Sequence, residues 1–160
     1  MSLLTWSERL TLGHPTMDET HEEFVGLLND LGAAEGDEIL VRLDAFIAHT
    51  EKHFGQEDTW MAELQYPRIG CHRNEHANIL EVVREVRNRV AGGEQQYGRT
   101  LAEALAEWFP VHAASMDAML AAFMQFGADA LPECEHEGSE SCPHSGAGGD
   151  APKAAPASPS

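Results

Sequence analysis

Residues 37–64 read DEILVRLDAFIAHTEKHFGQEDTWMAEL, and their spacing decides the fold. Ile39, Leu43, Phe46, His53, Glu57, Trp60 and Leu64 recur at helical intervals, which places them on one stripe of a long amphipathic helix. Two of them, His53 and Glu57, are polar on a stripe that is otherwise apolar. They therefore point into whatever the helix packs against. The helix is expected to stop before Tyr66-Pro67, because a proline pushes its predecessor out of helical geometry.

Three more segments carry the same period, and none shows sustained strand alternation. The first opens at Thr16-Met-Asp-Glu19, which has the form of a capping box. It continues with His21, Phe24, Leu27, Leu28 and Leu31, and stops near Gly32. The third, from about residue 70 to 90, carries His72, His76, Ile79, Leu80, Val83 and Val86 and meets Gly92-Gly93. The fourth, from about 97 to 126, carries Leu101, Leu105, Trp108, His112, Leu120 and Phe123. Four amphipathic helices with short connections predict an all-α, antiparallel up-down-up-down four-helix bundle. Residues 1–15, with Trp6 and Gly13-His14-Pro15, are expected to lie across it as an arm.

Residues 131–160 have a different composition, with Ala, Gly, Pro and Ser filling 19 of 30 positions. Such a segment buries too little apolar surface to offset its chain entropy, so residues 1–130 are expected to form the bundle and 131–160 a disordered, low-complexity tail. Cys134-x-His136 and Cys142-x-His144 in that tail offer soft ligands for a second metal, although chance composition accounts for them equally.

The chain has 160 residues, 27 acidic against 10 basic, and a net charge of −17. That balance argues against nucleic acid or an anionic membrane surface as partner. No basic start is followed by an apolar run and no stretch approaches a membrane span, so a soluble, unexported, cytoplasmic protein is the expectation. Three cysteines are too few for a disulfide framework, which agrees with a reducing compartment. Nothing in the pattern fixes an oligomeric state. The unusual count is nine histidines.

Most of those histidines sit on the inward stripes. Residues four apart differ by only about 40° round a helix, so His53 with Glu57, and His72 with His76, can each grip one centre from a single helix. His49, His53 and Glu57 form one row, and spacing alone leaves His49 and His53 as alternatives. His21 adds a donor from the first helix, and His112 and Asp117 add two from the fourth. Cys71 falls about 100° from His72 and is read as a non-ligand. Burying five imidazoles and two carboxylates without partners costs several kcal/mol for each carboxylate alone, on the order expected for an uncompensated buried charge. A metal removes that cost. Five imidazoles and two bridging carboxylates supply nine of the twelve bonds that two six-coordinate ions require. A shared oxygen supplies two more, leaving a single position for a small ligand.

Asp18-Glu-Thr-His21, His53-Phe54-x-x-Glu57-Asp58-x-x-Met61, Tyr66-Pro67, His72-x-x-x-His76 and Trp108-x-x-x-His112-x-x-x-x-Asp117 together resemble the hemerythrins, most of all the single-domain bacterial ones. The resemblance spans about residues 4–126 and fills every metal-ligand position. It implies two iron ions bridged by Glu57, Asp117 and an oxo or hydroxo oxygen. His72, His76 and His112 would hold one ion, and His21 and His53, in preference to His49, the other, where O2 binds end-on. The implied activity is reversible O2 binding without catalysis, for storage or for delivery to an oxygen-consuming enzyme. The alternatives are a di-iron redox enzyme acting on peroxide or nitric oxide, and an iron or zinc buffer. The carboxylate-rich sites of oxygen-activating bundles contrast with the imidazole-rich set here and favour O2 binding.

Two positions depart from the family pattern. Phe109 stands where leucine is usual and Ala113 where isoleucine is usual, and those side chains commonly line the O2 pocket. Trp108 is expected as packing around the site. Asp18, one turn before His21, can either orient that imidazole or act as a favourable acid in the first turn. Pro110 removes one helical hydrogen bond. His112 and Asp117 are five apart, about 140° round an ideal helix, so a π-type turn between Glu107 and Asp117 is predicted to bring them to one face.

Overall fold

A computed structural model describes residues 2–132. The tail, with both Cys-x-His pairs, lies outside the described residues apart from its first two positions. α1 spans Pro15–Ala33, α2 Glu38–Glu63, α3 Ile69–Ala91 and α4 Gln96–His112. After a wide turn at Ala113–Asp117, α5 (Ala118–Phe126) continues α4 as the second half of the fourth rod. α1 packs against α2 and α4, and α3 packs against the same two, which closes the ring. Connections of four or five residues reverse the chain each time, giving the expected antiparallel bundle. No helix among the described residues is long and apolar enough to cross a membrane.

The helix ends differ from the sequence reading in instructive ways. Thr16 does not cap α1; Pro15 takes the first helical position, and the His14 ring nitrogen accepts the Met17 amide at 3.1 Å. Proline at that place lacks only an amide that has no partner anyway. Asp18 does not reach His21. Its carboxylate instead accepts the Leu12 and Gly13 amides at 2.6 and 3.1 Å and so ties the arm to α1. Two backbone amides of the arm lie within reach of the carboxylate and occupy both of its oxygens. α2 stops at Gln65, whose φ of 54° is left-handed, with Tyr66 N–H returning to Met61 C=O at 2.9 Å. Cys71, on α3, is disulfide-bonded.

Apolar stripes form two core regions, and their order along each rod positions the polar cluster. Phe24, Leu28, Leu43, Phe46, Leu105 and Phe109 belong to the larger region. Met17, Met61, Tyr66, Leu120 and Ala121 form the smaller one at the far end. His21 follows Met17 and precedes Phe24, Glu57 lies between Phe46 and Met61, and Asp117 lies between Phe109 and Leu120. The polar residues are therefore flanked above and below by apolar side chains.

Near the opposite end, α4 approaches α2 closely enough that a Cβ at Gly98 would fall on Ile39 Cγ2, with Val90 behind it. Alanine ordinarily favours a helix over glycine by about 1 kcal/mol, but overpacking a β-branched neighbour costs roughly 1–3 kcal/mol. Gly98→Ala is expected to lose about 1 kcal/mol net, and at most about 2, in a urea titration. An unchanged or raised midpoint would show that the two helices separate freely there.

Candidate metal centre

Each rod delivers its donors at helical spacing. α1 brings His21, α2 brings His53 and Glu57, α3 brings His72 and His76, and the fourth rod brings His112 and Asp117. None of the seven is more than 3 % exposed. His53, not His49, enters the cluster; His49 lies one turn away, its Nδ1 3.5 Å from Glu23 at the surface.

The geometry separates the two oxygens of each carboxylate. Glu57 Oε1 lies 2.9 Å from His53 Nε2 and 3.4 Å from His21 Nε2, whereas its Oε2 lies 3.2 Å from His76 Nε2 and 3.4 Å from His72 Nε2. Asp117 repeats the division. Its Oδ1 lies 2.9 Å from His72 Nε2 and 3.1 Å from His112 Nε2, while Oδ2 lies 3.2 Å from His21 Nε2. The donors thus fall into two groups that share both carboxylates, one with three histidines and one with two, and within each group the donor atoms lie within 4.8 Å of one another.

This arrangement fits a pair of cations better than it fits itself. Nε2 of His72, His76 and His112, Oε2 of Glu57 and both Asp117 oxygens are buried without a hydrogen bond. Buried polar atoms are rarely left so, and here six converge on one place. Imidazole nitrogen and carboxylate oxygen are the donors that divalent transition metals share.

Asp117 reaches the cluster because the helix widens. A five-residue π turn, Ala113–Asp117, replaces the ordinary α turn and brings Asp117 onto the face of His112. Pro110 precedes it and offers no amide to the Ala106 carbonyl. Ser115 then donates its hydroxyl to Val111 C=O at 2.6 Å, satisfying a carbonyl beside the distortion.

Residues 12–124 match the hemerythrin HHE cation binding domain. The chain belongs to the hemerythrin family. It is 45 % identical to a bacteriohemerythrin of Ralstonia nicotianae over 134 residues, covering 83 % of this chain and 98 % of that protein. A bacteriohemerythrin of Pseudomonas aeruginosa is 30 % identical over 74 % of this chain and 79 % of its own, and one of Methylococcus capsulatus is 26 % identical over 73 % and 93 %.

In this hemerythrin the outer nitrogens of two histidines are held by carboxylates that the helical stripes did not reveal. His76 Nδ1 is 3.0 Å from Asp58 Oδ1, and His112 Nδ1 is 3.1 Å from Glu75 Oε1. Trp108 donates its indole N–H to the same Glu75 oxygen at 2.9 Å and stacks on His112 with centroids 4.5 Å apart. Trp108 therefore packs around the site on the side of the three-histidine group. Phe109 does lie on the two-histidine side, edge-on to His21 at 5.1 Å and stacked on Phe24 at 4.5 Å. Ala113 is buried in the same core region as Phe24 and Phe109.

Without metal, the two anionic side chains hold protons on their neighbours. Burial works against the charge on His21, but the Asp117 and Glu57 carboxylates outweigh it and raise its pKa to about 9. Burial likewise opposes the charge on His112, and Asp117, Glu75 and Glu57 raise its pKa to about 10. Both imidazoles are therefore protonated at pH 7 and must lose those protons to bind a cation. Loading metal-free protein with cobalt(II) at pH 7 in dilute buffer is expected to release at least two protons per chain, with apparent affinity rising as the pH approaches 9. Proton-neutral uptake would show that these histidines are not the donors.

Proposed function

We propose that this chain binds O2 reversibly at a non-haem di-iron centre, for storage or for delivery to an oxygen-consuming enzyme, and does not itself catalyse a reaction. The observation that carries the reading is the unequal division of histidines about two shared carboxylates. His72, His76 and His112 with Glu57 Oε2 and Asp117 Oδ1 make five donors, whereas His21 and His53 with Glu57 Oε1 and Asp117 Oδ2 make four. Allowing one oxygen shared between the ions, the five-donor position is complete and the four-donor position retains one place. The iron pair, when bound, supplies the two electrons that dioxygen accepts and recovers them on release.

The side chains around the two-histidine group do the remaining work. Phe109 and Phe24 face His21 and His53 with apolar rings and exclude water from that side. Exclusion matters because water and protons reaching the open position would end reversible binding. Glu57 and Asp117 hold the two positions at a fixed separation from opposite helices. Five neutral imidazoles against two carboxylates make a centre less electron-rich than the carboxylate-dominated sites that cleave O2, so holding is favoured over activation.

Metal analysis with a visible spectrum, reduced and then aerated, decides the matter. Two irons per chain, with a band that appears in air and disappears on deoxygenation, is the expected result. Rapid conversion to diferric protein with a product would make it an enzyme, and colourless zinc-bound protein a buffer.

A further inference from the structure

The outer surroundings of the two metal positions are unequal. On the three-histidine side, Asp58 backs His76 and Glu75 backs His112, and Glu75 is itself fixed by the Trp108 indole N–H. Nδ1 of His72 is buried without a hydrogen-bond partner, but on the two-histidine side this holds for both imidazoles, Nδ1 of His21 and Nδ1 of His53. A carboxylate on the far nitrogen of an imidazole fixes its tautomer, aims its other nitrogen and makes it a stronger ligand. Nothing comparable acts on His21 or His53 among the described residues.

We propose that Glu75 and Asp58 rank the two positions, so that the three-histidine position fills first and empties last. Glu75 is the positioning residue that sets this order through His112. It is not one of the seven donors: its Oε1 meets both His112 Nδ1 and Trp108 Nε1, on two rings that stack on each other. The inference rests on the metal-pair part of the proposed function and is independent of whether O2 binds. Trp108 acts through the same carboxylate. Trp108→Phe keeps the stacked ring and removes the donor, leaving Glu75 held by one bond in place of two.

The test loads the full chain with cobalt(II) and follows metal loss to excess chelator. Wild-type protein is expected to lose one equivalent quickly and the second slowly. Glu75→Gln, which preserves volume and an acceptor oxygen but removes the charge, is expected to speed the slow step about 10–100-fold and leave the fast step unchanged. Trp108→Phe is expected to speed the slow step less. Circular dichroism of the metal-free variants separates this from failure to fold, and Glu75→Asp is expected to restore part of the difference. Loss of both equivalents at one rate in wild-type protein, or equal acceleration of both steps by Glu75→Gln, overturns the proposal. A chain that takes up no second cobalt overturns the metal pair itself. Two metals held in sequence with no O2-dependent spectrum leaves this ranking standing and removes the oxygen reading.

Discussion

Glu57→Gln is expected to reduce metal content from two ions per chain to one or fewer and to abolish any O2-dependent spectrum. Glu57 is the only residue in the cluster that faces both of the two-histidine group's imidazoles with one oxygen and two imidazoles of the three-histidine group with the other. An amide keeps the volume, so the surrounding packing is preserved, but it replaces an anion with a weak neutral ligand. The two-histidine position falls from four donors to three and loses half of its shared charge. The three-histidine position keeps four, including Asp117, and is the one that retains an ion. Each ion present at a hundred times its dissociation constant adds about 2.7 kcal/mol to folding stability, so a filled pair adds on the order of 5 kcal/mol. At roughly 2–4 °C per kcal/mol for a chain of this size, wild-type protein should melt about 10–20 °C higher with metal than without. In Glu57→Gln most of that increment disappears. Two ions bound with an undiminished increment would mean that Glu57 does not bridge.

The part of this centre legible in the sequence is the part that obeys helical spacing. His53 and Glu57, like His72 and His76, share a face because four residues nearly complete a turn, and the structure brings both pairs to one place. The five-residue interval from His112 to Asp117 broke that rule, and the break was itself informative: a helix that must present both residues inward has to widen. What spacing cannot express is contact between helices. Glu75 lies one residue before His76, off the inward stripe, and its partners His112 and Trp108 are more than thirty residues away. Asp58 is likewise adjacent to Glu57 and off its face, and it meets His76 only because α2 and α3 are neighbours. Asp18 takes the second of its two readings, an acid in the first turn of α1. One turn before His21 it looked able to orient that ring, but the arm's Leu12 and Gly13 amides lie closer and take the carboxylate. Local competition for hydrogen bonds decides such cases, and a helical wheel does not contain the competitor.

Phe109→Ala is expected to cost about 3–5 kcal/mol of stability and to shorten the life of the O2-bound state at least tenfold, two losses that have different causes. The ring is 1 % exposed and stacks on Phe24. Removing it forfeits apolar burial and leaves a cavity that close-packed neighbours fill only in part. The second loss follows from where the cavity opens. The ring edge faces His21, in the two-histidine group where the proposed iron would keep an open position, and Ala113 is too small to cover the gap. A cavity of that size beside five imidazoles and two carboxylates has the polar partners that water requires. Water admitted there would bring protons to the proposed oxygen-binding position and so shorten the life of the bound state. Phe109→Leu separates the two effects, because a leucine fills most of the space and costs less than about 1.5 kcal/mol. It is expected to leave autoxidation between the wild-type and alanine values while altering the O2 dissociation rate. Stopped-flow deoxygenation and the decay of the oxygenated band measure both. Alanine protein that autoxidises at the wild-type rate would show that some other side chain keeps water from the two-histidine position.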